Sequence, residues 1–384
     1  MKLAAALILL FPTTALAQPT EPAPPAEPAP PADAAVEAKA PAWYDTITVN
    51  GFASIGYELN ANRPPDKSNG LRVFDTDHNT LNVDVIELVL QKPVAAANDA
   101  GFRFDLTAGS SIPHVAASAG LFRDDAGNAQ DVDLQQAFLS WIAPAGKGLR
   151  IDAGKFVTNH GYELIEGYDG YNDNYTRSLL FGYAIPFTHT GVKASYPVSD
   201  KFAAMVMLVN GWDNVKDNNA GKTVGVGLTF LPTSKLTAYL NYCGGPEQAG
   251  NSSNLRHLID LVGVLKATAQ VTLGVNGDFA TEEGAAADGG AASWYGAALY
   301  GRYDATARLA VALRGEIFDD VDGVRTGTAQ KVVEGTLSPT VKATDNVLFR
   351  GDVRLDRSDA EVFMTDTGTS RSQLTFAVNA LGVF

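Results

Sequence analysis

The chain has almost no cysteine, no long apolar run and no excess of positive charge. Its 384 residues include one cysteine, Cys243, so no disulfide can form within the chain. Past the N-terminus, no apolar run approaches the ~20 residues that a membrane-spanning helix needs. The formal net charge of −14 argues against nucleic acid as a partner, because binding nucleic acid requires a basic surface. These absences exclude a disulfide-built domain, a helical membrane protein and a nucleic-acid-binding protein.

The first 45 residues have the composition of a leader and a spacer. Lys2 precedes a short apolar stretch that ends at Ala15-Leu16-Ala17, which is typical of a bacterial signal peptide cleaved after Ala17. The unit EPAPPA then occurs twice, in a Pro/Ala-rich segment whose composition cannot bury a core. We therefore predict a signal peptide over 1–17, a disordered periplasmic linker over 18–45 and one folded domain over 46–384.

From residue 46 onward, short segments alternate apolar and polar residues, which is the pattern of two-faced β-strands. Near the C-terminus, for example, Phe349, Val353 and Leu355 alternate with arginine and aspartate. Sixteen such segments follow one another, and the connections between them alternate between long and short. The predicted strands are 46–60, 80–92, 101–110, 133–143, 148–157, 186–197, 201–212, 222–231, 234–243, 255–266, 268–280, 292–304, 306–318, 329–342, 345–357 and 371–384.

This layout predicts an all-β fold: a transmembrane antiparallel up-and-down β-barrel of about sixteen strands, with long extracellular loops and short periplasmic turns. Closure into a barrel leaves no unpaired backbone groups in lipid. The alternative, a soluble β-sandwich, would not have connections that alternate between long and short. Two segments give weaker signals. The apolar pattern changes face between Val85 and Ile86, which indicates a bulge, and 202–209 is apolar throughout and shows no face.

The last stretch of the chain, SRSQLTFAVNALGVF, is strand-like and ends on Phe384. A terminal aromatic on a closing strand is similar to the C-terminal signal that the bacterial outer-membrane assembly machinery reads. Physically, Phe384 fits an aromatic girdle at the membrane interface. Further girdle candidates near strand ends are Tyr57, Tyr196, Trp212, Phe230, Tyr242, Phe279 and Tyr303.

Two stretches carry a resemblance to a known family: 72–93, and 154–192 with its segments GKF, GYE and FTHTGV. Together with the barrel pattern, they resemble the OmpL-like beta-barrel porins of the bacterial outer membrane. The resemblance implies passive diffusion of ions and small hydrophilic solutes through a water-filled lumen, and contact with outer-membrane lipid. It transfers no catalytic residue, metal or cofactor. General porins are often trimers, so a homotrimer is open.

The longest connection, 158–185, is the predicted constriction. In general porins the corresponding loop folds into the lumen, and this one is similar by position. We expect its tyrosines to pack on the wall while its carboxylates face the water path opposite an arginine wall, which would produce a transverse field. The candidate constriction residues are Tyr162, Glu163, Glu166, Tyr168, Asp169, Tyr171, Asp173, Tyr175 and Arg177.

The polar face of the predicted strands supplies candidates for the lumen wall. If the apolar face meets lipid, these side chains point inward. Both signs of charge occur on several strands, so the pattern does not predict the sign of ion selectivity. The wall candidates are Arg103, Asp105, Arg150, Asp152, Asp278, Arg302, Arg314, Glu316, Arg350, Asp352 and Arg354.

Two other functions stay open. A structural or adhesive barrel would have the same strands around a filled lumen. An outer-membrane hydrolase would need a nucleophile and a base; His189 shares a strand face with Ser195, but no nucleophile motif accompanies them. The acidic segments 124–133 and 169–174 contain calcium-type ligands without the spacing of a full calcium-binding loop. We predict no enzyme activity, no metal site and no cofactor.

Overall fold

The computed structural model describes residues 42–116 and 120–384. Sixteen long strands form one closed barrel, and each strand pairs antiparallel with the next until the last pairs with the first. These strands are β1 (Thr48–Asn60), β2 (Thr80–Lys92), β3 (Ala100–Ala108), β4 (Val132–Ala143), β5 (Leu149–Val157), β6 (Thr188–Ser199), β7 (Phe202–Val209), β8 (Thr223–Thr233), β9 (Leu236–Pro246), β10 (Leu255–Lys266), β11 (Val271–Glu282), β12 (Ala292–Asp304), β13 (Leu309–Asp320), β14 (Gln330–Lys342), β15 (Val347–Ser358) and β18 (Ser372–Val383).

Five small elements accompany the barrel. A hairpin of β16 (Phe363–Thr365) and β17 (Gly368–Ser370) lies in the last long loop. The helices are a 3-10 turn (Trp43–Thr46), α1 (Ile112–Val115) and a π-helix (Leu180–Ala184). Within the described ranges no helix has the length and apolar character needed to span a membrane. The predicted signal peptide and residues 18–41 of the predicted linker lie outside the described residues.

The predicted fold is confirmed, and all sixteen predicted strands are present with their ends shifted by at most three residues. Two strands begin three residues later than predicted, and the cause is local. In the turns KATA and DATA, the hydroxyl oxygens of Thr268 and Thr306 accept the backbone N–H groups two and three residues ahead. Because these bonds compete with the sheet ladder, β11 begins at Val271 and β13 at Leu309.

The apolar face of each strand lies outward, as the alternation predicts. On β15, Phe349 and Val353 are exposed, whereas Arg350 and Arg354 are buried inside. The side chain of Phe384 is 65% exposed, and its backbone exchanges two hydrogen bonds with Gly51 on β1, at 2.8 and 2.9 Å. The final aromatic therefore lies outside the barrel at the seam between the first and last strands.

The outward aromatic residues agree with the girdle prediction except at one position. Phe230, Tyr242, Phe279 and Tyr303 are exposed on the outer surface. The prediction for Trp212 is wrong, because this side chain is buried among apolar residues inside the barrel.

The two weak strand signals also have structural explanations. The bulge on β2 is present one residue earlier than predicted, because both Asp84 and Val85 turn inward where the register with β1 shifts. On β7, Val206 and Leu208 face outward while Met207 and its neighbour Val209 face an apolar cluster in the lumen. An apolar environment on both sides of β7 removes the alternation that usually marks a strand.

Candidate functional site

The connection between β5 and β6, residues 158–187, lies inside the barrel and is called the inserted loop here. Its first half follows the wall away from β5. The amide of Asn159 donates to Asn241 Oδ1 on β9 at 2.8 Å. Further along, the backbone N–H of Tyr168 donates to Glu87 on β2. The loop thus contacts strands on opposite sides of the closed sheet.

The second half of the inserted loop is held by wall carboxylates that accept backbone N–H groups. Asp352 on β15 accepts from the N–H of Thr176 at 2.8 Å and from its hydroxyl at 2.9 Å. Glu316 on β13 accepts from the N–H groups of Leu179 and Leu180 at 2.6 and 3.2 Å. These hydrogen bonds hold the loop backbone on two separate strands of the wall.

Two loop carboxylates are buried against wall arginines. Glu163 lies 2.7 Å from Arg314, and Glu166 lies 2.6 Å from Arg350 and 3.1 Å from Arg177. Burial would raise the pKa of Glu166, but the guanidinium groups of Arg177 and Arg350 outweigh it and hold this pKa at about 2. The pairs are anchors for the loop, and the carboxylates do not face water.

Two other loop carboxylates pair with arginines nearer to the water. Asp169 lies 2.8 Å from Arg103 on β3, and Asp173 pairs with Arg302 on β12. The side chain of Asp169 is 49% exposed. Acid and base are therefore in contact at all four loop positions. This arrangement differs from the expected acidic loop facing an arginine wall across water.

The loop tyrosines divide between wall contacts and the water-facing surface. Tyr162 stacks on Tyr300 of β12, with ring centres 3.9 Å apart. The hydroxyl of Tyr175 donates to Asp84 on β2 at 3.1 Å, and the side chain is buried. Tyr168 and Tyr171 are half-buried.

The end of the inserted loop carries an apolar core into the lumen. Trp294 on β12 is fully buried, and its indole N–H donates to the carbonyl of Ala184 at 3.1 Å. Inward apolar side chains from β5, from β7 and from β9 to β14 complete the cluster. Its loop members are Leu179, Leu180, Phe181, Ala184, Ile185 and Phe187.

Inward side chains are buried around the whole circumference of the barrel in this conformation. Every barrel strand has at least one inward side chain that is buried beneath the loops. One such set, in strand order from β1, is Ser54, Glu87, Asp105, Gln136, Lys155, His189, Met207, Thr223, Asn241, Asp260, Asn276, Ala298, Glu316, Thr336, Asp352 and Ala377. Water reaches charged wall residues toward the short-turn end, where the side chains of Arg150 and Lys193 are 43% and 23% exposed.

The wall charges follow a spacing that the sequence reasoning missed. Six times, an inward arginine precedes an inward acid by two residues on the same strand, which places both on one face. Four of these pairs are in direct contact at 2.8 Å. The six segments are 103–105, 150–152, 302–304, 314–316, 350–352 and 354–356.

In the two remaining segments, Arg314-Gly315-Glu316 and Arg350-Gly351-Asp352, both charged side chains contact the inserted loop. Each arginine contacts a loop carboxylate, while each acid accepts loop backbone N–H groups. Both have glycine at the centre, and the other four have larger residues there. The signal R-x-[DE] on a two-faced strand therefore marks the wall, and in its glycine form both charged side chains contact the loop.

Asp278 differs from the other wall candidates because it lies beside a second acid. It is the cross-strand neighbour of Asp260 in the β10–β11 register. Both carboxyl groups are buried, and neither oxygen of Asp278 has a hydrogen-bond donor within the described residues. Two carboxyl groups so placed favour a single negative charge between them.

The described residues show neither a catalytic arrangement around His189 nor a metal site. His189 contacts the hydroxyl of Thr158 and the carbonyl of Gly211, both at 3.3 Å. Across residues 42–116 and 120–384, no group of three or more His, Cys, Asp or Glu side chains is arranged to hold a metal.

The sequence model of a family described as "Putative beta-barrel porin-2, OmpL-like" matches residues 46–384. The chain belongs to this family. No curated protein shows significant sequence similarity to it. As an OmpL-like porin-family barrel it is an outer-membrane protein, with its outward apolar face toward lipid.

Solved outer-membrane channels share the fold at low identity. The anion-selective porin from Comamonas acidovorans is 12% identical, with a TM-score of 0.58 over 88% of this chain and 99% of that one. The channel DcaP of Acinetobacter baumannii is 12% identical, with a TM-score of 0.57 over 88% and 97%. A trimer form of OmpT from Vibrio cholerae is 10% identical, with a TM-score of 0.57 over 88% and 99%. These likenesses concern the architecture alone.

Proposed function

We propose that this protein is a porin that passes ions and small hydrophilic solutes by passive diffusion, and that the inserted loop sets the opening of its lumen. The observation that carries the proposal is the path of that loop, which crosses the barrel interior and contacts β9, β12, β13, β15 and β2. A barrel of sixteen strands is wide enough for a water channel once the loop leaves room. Family membership supports the same function.

The candidate constriction residues take two roles in this proposal. Glu163, Glu166, Tyr175 and Arg177 are buried and anchor the loop, and Tyr162 packs on the wall. The remaining four border the water-facing side and would contact a passing solute. These four are Tyr168, Asp169, Tyr171 and Asp173.

The burial of inward side chains favours a second candidate, a structural or adhesive barrel whose lumen is filled and conducts nothing. The apolar cluster around Trp294 and the ring of buried inward side chains have the burial of a permanent core. The two candidates differ in whether the loop moves. A channel requires a state in which the clamps at Arg314 and Arg350 open, and a structural barrel does not.

Single-channel recording of the purified, refolded chain in a planar bilayer tests the proposal. Discrete steps that grow with salt concentration would support a porin. We expect Glu166→Gln, which removes the charge between Arg177 and Arg350, to open the channel more often than the wild type. Folded protein without steps, in both forms, would support the filled barrel.

The proposed partners follow from the surface. Outer-membrane lipid covers the outward apolar face, and exposed Phe384 is offered to the assembly machinery. A homotrimer is proposed because OmpT of Vibrio cholerae has a trimer form. Mass measurement of the detergent-solubilised protein distinguishes a trimer from a monomer.

A further inference from the structure

Two cations and one carboxylate meet on the water-facing wall of β5 and β6. In the strand register, Asp152 lies opposite Lys193, and Arg150 lies opposite Ser195. Since alternate residues share a face, Arg150, Asp152 and Lys193 project into the lumen together. The inserted loop leaves this group accessible, as the exposure of Arg150 and Lys193 shows.

The single carboxylate is already occupied by other donors. Asp152 Oδ1 accepts from Arg150 Nε at 2.8 Å and from the Ser140 hydroxyl at 2.6 Å. Lys193 Nζ is 3.9 Å from Asp152 Oδ2, beyond hydrogen-bond distance, and lies 4.4 Å from the ring centre of Phe156. Among the residues that the structure describes, none accepts a hydrogen bond from Lys193. The partly exposed ammonium group of Lys193 thus has no hydrogen-bond acceptor among the described residues.

The other water-facing arginines have the opposite charge balance. Arg103 contacts two carboxylates, and so does Arg302. Arg150 and Lys193 instead share one, which leaves a net charge of about +1 at this part of the wall. The carboxylates in question are Asp105 and Asp169 for Arg103, and Asp173 and Asp304 for Arg302.

We propose that Lys193 and Arg150 form a binding station for an oxyanion, the carboxylate or phosphate group of a passing solute. Lys193 Nζ supplies the free ammonium donors, and the guanidinium edge of Arg150 that points away from Asp152 supplies a second contact. The face of the Phe156 ring contacts the same ammonium and restricts its position. The station rests on the proposed channel function and assigns a solute class to it: anions enter this part of the lumen more readily than cations.

Reversal potentials in a KCl gradient test the station, with chloride as the probe anion. Lys193→Gln removes the ammonium charge, and we expect the chloride-to-potassium permeability ratio to fall by about one order of magnitude, because a unit positive charge about 5 Å away in water favours chloride about fourfold and disfavours potassium by the same factor. Lys193→Arg keeps the charge and should keep the ratio. Lys235→Gln, in the exposed turn between β8 and β9, is the matched control and should leave it unchanged.

Blocking experiments separate the two oxyanion sources. Inorganic phosphate and acetate are added in turn to the wild type and to Lys193→Gln, and the chloride current is measured. Block of the wild type that is lost in the variant supports the station, and the more effective anion identifies its preference. Channels that conduct with the same permeability ratio and the same block in both proteins would overturn the station and leave the porin function standing. Absence of conductance in every protein would overturn both.

Discussion

Neutralising Glu166 breaks the central anchor of the inserted loop. The carboxylate is buried between Arg350 at 2.6 Å and Arg177 at 3.1 Å. Its pKa of about 2, against an ordinary value of 4.5, corresponds to about 3 kcal/mol of net stabilisation of the ionised carboxylate, after the opposing effect of burial. Removing one member of a buried pair costs about 3–5 kcal/mol in general, because the partner charge stays buried and unpaired. We therefore expect Glu166→Gln to destabilise the closed loop by about 3 kcal/mol.

Hydrogen–deuterium exchange of loop amides measures this change directly. A loss of about 3 kcal/mol raises the population of the open loop by roughly two orders of magnitude. The backbone N–H of Asn172 is a suitable reporter because it donates to Glu166 Oε1 at 2.8 Å. Asp169→Asn is the control: its half-exposed pair with Arg103 contributes about 0–1 kcal/mol, so exchange should rise less than tenfold.

The pH dependence of exchange at the same amides tests whether ionised Glu166 stabilises the closed loop. A carboxylate with a lowered folded pKa stabilises the loop above pH 4.5 and loses that contribution as the pH falls toward 2. Exchange in the wild type, corrected for intrinsic chemistry, should therefore accelerate between those pH values and approach that of Glu166→Gln. Equal protection in the wild type and Glu166→Gln at pH 7 would refute the reasoning.

Three further changes test other parts of the structure. Asp278→Asn relieves the crowding with Asp260, so we expect an equal or higher urea midpoint in detergent, and a lower midpoint would contradict the single-charge pair. Burial raises the pKa of Glu247 to about 7, and this side chain accepts the backbone N–H of Trp212. The loop that contains Trp212 should therefore lose stability as the pH rises from 4.5 to 7. Tryptophan fluorescence should follow this loss in the wild type, and Glu247→Gln should remove the pH dependence. Phe384→Ala should lower the amount recovered in the outer membrane of cells while the refolded protein keeps its barrel, and unchanged recovery would argue against the terminal signal.

The strands could be predicted from the sequence because lipid and barrel interior impose opposite preferences on alternate residues. On β15 the outward Phe349 and Val353 alternate with the inward Arg350 and Arg354, and the periodicity is plain. The rule fails on β7, where Met207 faces an apolar cluster inside the lumen. A strand in apolar surroundings on both faces has no alternation to detect. Trp212 follows the end of β7 and packs into the same cluster, so its apolar side chain alone does not distinguish the membrane interface from the lumen.

The path of the inserted loop could be predicted only in outline. Its length and position indicated a lumen loop, but the clamps join residues far apart in the chain, such as Glu163 with Arg314. No local pattern in the loop identifies the arginine on another strand that each carboxylate will reach. The spacing R-x-[DE] in the wall was readable, and its meaning depends on the loop that lies against it. The constriction role of the loop stays a prediction.

The central claim, that movement of the inserted loop opens the lumen, is tested most directly by a reversible lock. Asn174 Nδ2 lies 2.6 Å from Ser338 Oγ on β14, so Asn174→Cys with Ser338→Cys brings two thiols near each other, and loss of both free thiols on oxidation shows that a disulfide joins loop and wall. The native Cys243 is fully buried and stays apart from this reaction. The account predicts that the oxidised double variant loses its single-channel conductance and that reduction restores it. Equal conductance in the oxidised and reduced forms would contradict it.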